Sequence, residues 1–433
     1  MSDAHTALPA RDSDRMQQRA AFLSRAGYAG RPLQALPADA SRRRYFRLVG
    51  ADLLLMDSPP DSEPLGPYVQ VARYLRRRGL SAPVLLEVDE AAGLALIEDF
   101  GQDTYTRLLA AGHEEAPLYR LAVDALLTLH RAPLQTSEAL PAYDAARLSD
   151  EYALFIDWYV PLLIGEDAAR ALREPYMKLF AQALKEVAER RETLVLRDFH
   201  VDNLMLLKGR SGVAACGLLD FQDALVGACA YDLMSLLEDA RRDVPGKLRE
   251  ALLNQYLVQR TEIDALQFLG DYQRLAAQRH AKVLGIFVRL AVRDGKPLYL
   301  RHLPRVLGLF EPIVNQCLHA LKAQGALGGN GVGHFLGRRI ELRLQLMPAA
   351  RPRASARLSP QPESSSTPSS PWLRRAHATA RRGDRRCMAF PSRSRTCSTR
   401  MTCRRCGATA PPMRAGGRSA TRRSCGHCAM PVP

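Results

Sequence analysis

Cysteine is scarce in most of this 433-residue chain, because only three of its nine cysteines occur in residues 1–330. So few and so scattered cysteines exclude a disulfide framework and are typical of a reducing compartment. Long apolar runs are missing too, since no stretch approaches the roughly 20 apolar residues that a membrane-spanning helix needs. The polar residues 1–15 lack the apolar core of a signal peptide. The sequence therefore predicts a cytoplasmic protein without a membrane segment.

Lysine is missing before Lys178, and acidic residues are rare near the C-terminus. The chain has 61 basic and 45 acidic residues, a formal charge of +16. Residues 331–433 hold 21 arginines and three acidic residues, which leaves 40 basic and 42 acidic residues in 1–330. The basic charge thus belongs to the tail. Residues 1–330, with a net charge of −2, lack the global charge that is typical of nucleic-acid binding.

The tail, residues 331–433, allows two interpretations. Four of its cysteines have the C-x₂-C-x₁₈-C-x₂-C spacing of a zinc site: Cys403, Cys406, Cys425 and Cys428. However, the residues between the two pairs include one aliphatic side chain larger than Ala, Met413, so a zinc ribbon would have almost nothing to pack. Arg, Pro, Ser, Ala and Gly dominate from Arg351 onward, which predicts a disordered tail. A change of reading frame in GC-rich coding DNA would give the same composition.

Hydrophobic periodicity divides residues 1–330 into a β-rich half and a helical half. Short apolar or alternating stretches predict strands at 39–49, 53–56, 84–88 and 94–97. Helical periodicity predicts helices at 14–26, 67–78, 104–130, 149–192 and 231–323. We therefore predict an α+β, two-lobed fold with a small β-rich N-lobe at 1–101, a larger helical C-lobe at 102–330 and a cleft between them.

Two neighbouring segments carry the strongest functional signal. One apolar stretch leads to Asp198, with Asn203 five residues on, and a second apolar stretch leads to Asp220. Phosphoryl transfer needs one carboxylate that orients the acceptor hydroxyl, and an Asn and a second carboxylate that hold Mg²⁺. The Asp-to-Asn spacing is that of the kinase catalytic loop, although Leu196 stands where that motif has His. A polar hairpin turn would explain any single Asp, but it does not explain the three residues together.

Longer motifs around these positions resemble the aminoglycoside phosphotransferase and choline kinase branch of the kinase-like fold. Within that branch they are similar to the anomeric kinases of N-acetylmuramate and N-acetylglucosamine in cell-wall recycling. The resemblance covers about residues 15–325 and rests on seven segments: 39–47, 55–60, 96–101, 194–207, 219–224, 231–240 and 282–290. It implies a protein-kinase-like fold that uses ATP and Mg²⁺.

The resemblance also implies a role for each residue of the central motifs. Asp198 would be the catalytic carboxylate that aligns the acceptor hydroxyl. Asn203 and Asp220 would bind Mg²⁺, and their oxygen atoms suit that ion. Asp232, which opens a predicted helix, would accept hydrogen bonds from the backbone of the Asp198 loop.

We expect nucleotide contacts from five residues of the N-lobe and hinge: Ser41, Arg44, Arg47, Glu98 and Phe100. Kinases place a phosphate-pairing Lys on the third strand, where this chain has Met56. Arg44 or Arg47 should therefore meet the phosphates, since the planar fork of an arginine suits their oxygen atoms. The hinge around Phe100 would meet the adenine. Each of the two segments has a structural alternative. A solvated turn would explain the arginines at 42–44, and an ordinary acidic turn would explain residues 98–101.

We expect acceptor contacts from five residues of the C-lobe: Glu151, Asp157, Trp158, His200 and Arg289. Carboxylates accept hydrogen bonds from sugar hydroxyls, an aromatic face lies well under a sugar ring, and a cation suits the carboxylate of N-acetylmuramate. Arg279, His280 and Lys282 on the same predicted helix as Arg289 could complete the pocket. Each has a structural alternative, because aromatic residues at helical spacing usually belong to the core and basic ones to a solvated face.

These observations predict an ATP- and Mg²⁺-dependent kinase that phosphorylates the anomeric hydroxyl of N-acetylmuramate, N-acetylglucosamine or both, in peptidoglycan recycling. Two alternatives stay open: an aminoglycoside or choline-type phosphotransferase, and a nucleic-acid-binding protein that uses the basic tail. The expected partners are the nucleotide and a small amino-sugar acceptor. We expect no membrane and no obligate protein partner, and the charge of residues 1–330 argues against nucleic acid.

Overall fold

The computed structural model describes residues 10–37, 42–134 and 140–323. Ser41, the cysteine spacing of the tail and the whole segment 331–433 lie outside the described residues. The zinc and nucleic-acid alternatives depend on that segment, and they lie outside the described residues with it.

Five strands form an antiparallel sheet in the N-terminal part of the chain, in the order β1–β2–β3–β5–β4. Their bounds are Leu33–Ala35 (β1), Arg44–Leu48 (β2), Leu53–Asp57 (β3), Leu85–Asp89 (β4) and Leu94–Glu98 (β5). The central strand β3 is apolar at successive positions because successive side chains point to opposite faces and both faces are covered. Leu55 belongs to one hydrophobic cluster and Met56 to another.

A helix covers each face of this sheet. The helix α1, Ala10–Arg25, contributes Phe22 and Leu23 to the cluster of Leu55. The helix α2, Gly66–Arg77, lies on the other face. Its four residues that periodicity predicted to face inward are all buried, namely Val69, Val71, Tyr74 and Leu75. The predicted orientation of α2 is therefore confirmed.

The rest of the described chain is mostly helical. The helices are Tyr105–Ala110 (α3), Glu115–Arg131 (α4), Ala145–Leu154 (α5), Val160–Ile164 (α6), Glu166–Leu184 (α7), Ala230–Leu237 (α8), Gly246–Gln259 (α9), Ala265–Val292 (α10) and Leu303–Ala323 (α11). With the sheet before them, they form the two-lobed α+β architecture. No helix of the described residues is long and apolar enough to cross a membrane. The domain boundaries after residues 101 and 330 and the cytoplasmic location stay predictions.

The three long helical stretches expected from periodicity are each interrupted. Gly112 (φ 88°) separates α3 from α4, and Gly165 (φ 87°) separates α6 from α7, because both adopt left-handed backbone that favours glycine. A π-helical turn, Phe155–Tyr159, joins α5 to α6 just before Pro161, whose missing N–H cannot continue a regular helical bond. The strand β1 was not predicted, since three residues are too few to show an alternating pattern.

The longest helix, α10, has 28 residues and is buried along most of its length. It packs closely on α5 at Gly285, where a Cβ atom would lie 2.2 Å from the carbonyl oxygen of Leu154. A side chain at this position would therefore force the two helices apart. Because α10 is held in this way, its polar side chains are presented at defined positions along the C-lobe.

Two small antiparallel sheets carry the central motifs. The strand β6, Thr193–Val195, pairs with β9, Leu225–Gly227, and β7, Leu204–Leu206, pairs with β8, Cys216–Leu218. The Asp198 loop therefore lies between β6 and β7, and Asp220 follows β8. The predicted arrangement of two apolar strands that each lead to a carboxylate is confirmed.

Candidate active site

The loop between β6 and β7 is held in an unusual backbone conformation. Arg197 adopts φ 70°, a left-handed value that is uncommon for a residue other than glycine. The buried Asp232, at the start of α8, accepts hydrogen bonds from the backbone N–H of Leu196 at 2.6 Å and of Arg197 at 2.9 Å. The expectation that Asp232 bonds this loop is therefore confirmed. These two bonds hold the backbone that leads into Asp198.

Asp198, Asn203 and Asp220 come together at the mouth of this loop. The side-chain amide of Asn203 donates to the backbone carbonyl of Asp198 at 2.9 Å and to Oδ2 of Asp220 at 3.5 Å. The backbone N–H of Leu219 donates to the carbonyl of Asn203 at 3.0 Å, which ties the two segments together. Asp220 itself has φ 56°, a second left-handed residue of the site. Gln222 donates to the other oxygen of Asp220 at 2.7 Å.

The two carboxylates have opposite pKa shifts. Burial by itself would raise the pKa of Asp198, but the surrounding basic groups, Lys282 foremost, outweigh it and hold this pKa below the usual range. Burial raises the pKa of Asp220, and the negative charge of the nearby Asp198 raises it further. Asp198 is therefore ionised at neutral pH, whereas Asp220 is a carboxylate that a bound cation would stabilise.

Asn203 and Asp220 fit a Mg²⁺ ion by their chemistry. Both offer oxygen atoms, and no described residue donates a hydrogen bond to Oδ1 of Asn203. Within 10–37, 42–134 and 140–323, no three His, Cys, Asp or Glu side chains form a metal-binding group. A Mg²⁺ ion that also binds phosphates and water usually takes only one or two protein ligands. Two ligands, Asn203 and Asp220, are therefore enough.

Glu151 on α5 is the centre of a buried polar network. Its two oxygens accept hydrogen bonds from Gln278 and Lys282, each at 2.8 Å, and from Tyr143 and Arg197. Burial opposes ionisation, but the charge of Lys282 and then that of Arg197 lower the pKa of Glu151 to about 2. Glu151 therefore anchors the side chain of the strained Arg197 to α5 and α10.

A cavity of about 480 Å³ opens beside Asp198 and is lined by Asn203, Asp220 and His200. Such a volume is within the range of small-molecule sites. Burial is the main cause that lowers the pKa of His200, so this imidazole is neutral at neutral pH. The cavity thus brings five of the predicted site residues together, since Arg289 lines it as well.

The helix α10 forms the opposite wall and makes it basic. Arg279, Lys282 and Arg289 line the cavity from this helix, and Arg241 lines it from the segment after α8. Arg279 is only 4% exposed, and its Nη1 has no hydrogen-bond partner within the described part of the chain. A buried guanidinium with an unused donor favours an anionic group of a ligand. By contrast, His280 faces the core, where it bonds Glu238 at 2.8 Å.

The other predicted acceptor residues lie elsewhere. Asp157 is exposed and pairs with Arg173 at 2.8 Å, and the half-buried Trp158 packs against the core; neither lines the cavity. Sequence reasoning missed Arg241 and Tyr299, which do line it. Arg241 stands in a bend after α8, and Tyr299 stands in the 3₁₀ helix Pro297–His302. Neither belongs to a motif, so only the folded arrangement could reveal them.

Three of the predicted nucleotide residues lie around the hinge after β5. Arg47 forms an ion pair with Asp99 and also donates to the carbonyl of Gly101 at 3.4 Å. Arg44 is exposed at the start of β2. Glu98 pairs with Arg210, whose guanidinium also lies 5.4 Å from the centre of the Phe100 ring. Glu98, Arg47 and Phe100 therefore lie near the connection between the sheet and the C-lobe.

The burial of Glu151 generates a test of stability. We expect Glu151→Gln to lower the free energy of unfolding by about 3–5 kcal/mol, because it leaves buried cations without their partner. The matched control is Asp157→Asn on the π-helical turn, an exposed pair worth about 0–1 kcal/mol. Chemical denaturation measures both.

The same pair of variants also has an expected pH dependence. The depressed pKa of Glu151 means that its contribution is complete above about pH 4 and is lost as the pH falls through about 2. The difference in stability between the unaltered protein and Glu151→Gln should therefore shrink below pH 4. Equal losses for the Glu151 and Asp157 variants at pH 7 would contradict the assigned network.

Comparison with known proteins yields relatives over most of the chain. The model of the phosphotransferase enzyme family (APH) matches residues 32–275. The N-acetylmuramate/N-acetylglucosamine kinase of Caulobacter vibrioides is 38% identical over 68% of this chain and 91% of its own length. The kinase of the same name from Pseudomonas aeruginosa is 36% identical over 65% of this chain and 84% of its own length.

A solved structure extends the likeness to the fold. The GDP and kanamycin complex of APH(2")-IIIa superposes with a TM-score of 0.50 and 16% identity, over 70% of this chain and 99% of that chain. At this identity the likeness concerns the fold alone, and it confirms the two-lobed kinase-like fold. The family match and the two relatives confirm the resemblance found in the sequence motifs. The chain belongs to the phosphotransferase enzyme family.

Proposed function

We propose that this phosphotransferase moves the γ-phosphoryl group of ATP to the anomeric hydroxyl of N-acetylmuramate or N-acetylglucosamine. The observation that carries the proposal is the cavity beside Asp198, which has the metal-type residues Asn203 and Asp220 on one side and the basic wall of α10 on the other. The names of the Caulobacter and Pseudomonas relatives support this choice of acceptor.

Asp198 would act on the acceptor. Because its pKa is lowered, the carboxylate is available at neutral pH to accept a hydrogen bond from the attacking hydroxyl and to align it. A hemiacetal hydroxyl is more acidic than an ordinary alcohol. A weak base such as the Asp198 carboxylate can therefore accept its proton more easily. Most of the rate enhancement would then come from positioning and charge neutralisation.

Asn203 and Asp220 would hold Mg²⁺, and the hinge near Phe100 would meet the adenine. When bound, the ion supplies positive charge to the phosphates during transfer. Arg47 is engaged by Asp99 and Gly101, so its contribution to nucleotide binding would be to hold the hinge.

The basic wall argues against the alternative acceptors. Aminoglycosides and choline are cations, and Arg279 and Arg289 each line the cavity with a guanidinium nitrogen that has no hydrogen-bond partner among the described residues. N-acetylmuramate is N-acetylglucosamine with a lactyl ether that carries a carboxylate. An acceptor with that carboxylate matches the unused donors of both arginines.

The first test concerns the chemistry at Asp198. We expect Asp198→Asn to reduce kcat by about 10²- to 10⁴-fold while the affinity for Mg·ATP stays nearly unchanged, since the lost carboxylate acts on the acceptor. Asp220→Ala should instead weaken Mg·ATP binding. Single-turnover kinetics and calorimetric titration separate the two effects. Near-normal turnover by Asp198→Asn would exclude the proposed role.

The second test concerns the attacking hydroxyl. We expect both N-acetyl sugars to be phosphorylated and their 1-O-methyl glycosides to be inert, because the methyl group blocks the anomeric oxygen and leaves every other hydroxyl in place. Loss of reducing-sugar reactivity and an acid-labile phosphate identify the product. Phosphorylation of the blocked sugars would rule out anomeric chemistry. Turnover with aminoglycosides or choline alone would favour the alternative function.

The third test concerns the basic wall. We expect Arg279→Met to lower kcat/KM for N-acetylmuramate at least about tenfold more than for N-acetylglucosamine, since one charge-assisted hydrogen bond contributes about 1.5–3 kcal/mol. Comparing the two sugars cancels any effect of Arg279 on Asp198. Arg289→Met, measured in parallel, shows whether the second arginine shares the carboxylate. Equal losses for both sugars would place Arg279 on the phosphates instead.

A further inference from the structure

The N-terminal sheet has no lysine with which to bind nucleotide phosphates. The first lysine of the sequence is Lys178. The strand β3 places the buried, apolar Met56 on the face toward α2. A cation that reaches the phosphates from this lobe must therefore be an arginine from another strand. The run of three arginines that begins at Arg42 is the nearest source, because it leads into β2, the neighbour of β3.

The three arginines of this run have different surroundings. Arg42 and Arg44 are exposed. Arg43 is only 7% exposed. Its Nε donates to Oγ of Ser58 at 3.1 Å and lies 3.7 Å from a carboxylate oxygen of Glu63. A charged side chain is seldom buried unless it is paired, and Arg43 meets that condition through Glu63.

Arg43 lies on the face of the sheet that looks toward the metal-type carboxylate. Its guanidinium is 5.9 Å from the centre of the Tyr68 ring on α2. The Tyr68 ring stacks on Phe221 with centroids 5.0 Å apart, and Phe221 directly follows Asp220. One aromatic pair therefore connects Arg43 to the residue next to Asp220.

Tyr45 gives a second, independent indication of this proximity. Tyr45 pairs with Met56 across β2 and β3. It follows Arg43 by two residues, so the two side chains lie on the same face of the sheet. Burial is the main cause that raises the pKa of Tyr45, and the charges of Arg43 and Asp220 both act on this phenol. The cation and the carboxylate thus lie near the same side chain.

We propose that Arg43 is the N-lobe cation that binds the nucleotide phosphates, and that Glu63 is the carboxylate that positions it. This proposal rests on the proposed use of ATP and names a phosphate-binding residue of that site. A guanidinium offers two parallel donors to phosphate oxygens. Arg47 is engaged at the hinge by Asp99, which leaves Arg43 as the buried arginine on the face of Asp220.

The experiment compares Arg43→Met with Arg42→Met in the full-length chain. Calorimetric titration measures the affinity for Mg·ATP, Mg·ADP and adenosine. We expect Arg43→Met to weaken both phosphorylated ligands by about 10- to 100-fold and to leave adenosine unchanged. Arg42→Met is the matched control and should bind all three normally, because the contact of Arg42 with Glu63 comes from its backbone N–H.

A second variant guards against a folding defect. Arg43→Lys keeps the positive charge but loses the fork, so its affinity for Mg·ATP should lie between those of Arg43→Met and the unaltered protein. Equal weakening of ATP and adenosine by Arg43→Met, or normal ATP binding by it, would overturn the proposal. None of these titrations requires an acceptor. Failure of the amino-sugar assignment would therefore appear separately, as ATP binding without phosphorylation of either sugar.

Discussion

The left-handed backbone at Arg197 is the constraint on which the active-site half of the molecule depends. A residue with a side chain adopts this conformation at a cost of about 1–2 kcal/mol, so other contacts must hold it. Asp232 holds the backbone through two N–H groups, and Glu151 holds the side chain. An extended backbone at Arg197 would direct the chain away from Asn203 and Asp220. The left-handed conformation brings Asp198 beside them.

The network around Glu151 couples the stability of the C-lobe to the ionisation of the site. Lys282 forms an ion pair with Glu151 at 2.8 Å, and its charge also lowers the pKa of Asp198. One buried cation therefore stabilises two carboxylates, one structural and one in the cleft. Because α10 supplies both Lys282 and Arg279, the close packing of this helix at Gly285 determines the electrostatics of the site.

The N-lobe has no lysine, and its basic side chains are arginines. Three adjacent arginines, 42–44, differ in their burial. Arg42 and Arg44 lie in solvent, whereas Arg43 turns inward to Glu63. Alternation along a strand places neighbours on opposite faces, so a run of identical residues cannot have a single role. The sequence interpretation favoured Arg44 and Arg47, because three consecutive arginines have no alternating pattern that shows which of them faces inward.

The sequence by itself determined the order of the two lobes, the inward face of α2 and the meeting of Asp198, Asn203 and Asp220, because periodicity and short spacings act between near neighbours in the chain. Tertiary structure alone decided that Glu151 is an internal anchor, that Asp157 lies at the surface and that Arg241 enters the cavity. These outcomes depend on how helices far apart in the chain pack together. Burial, partner and field at each charge arise only from that packing, so no local pattern could predict them.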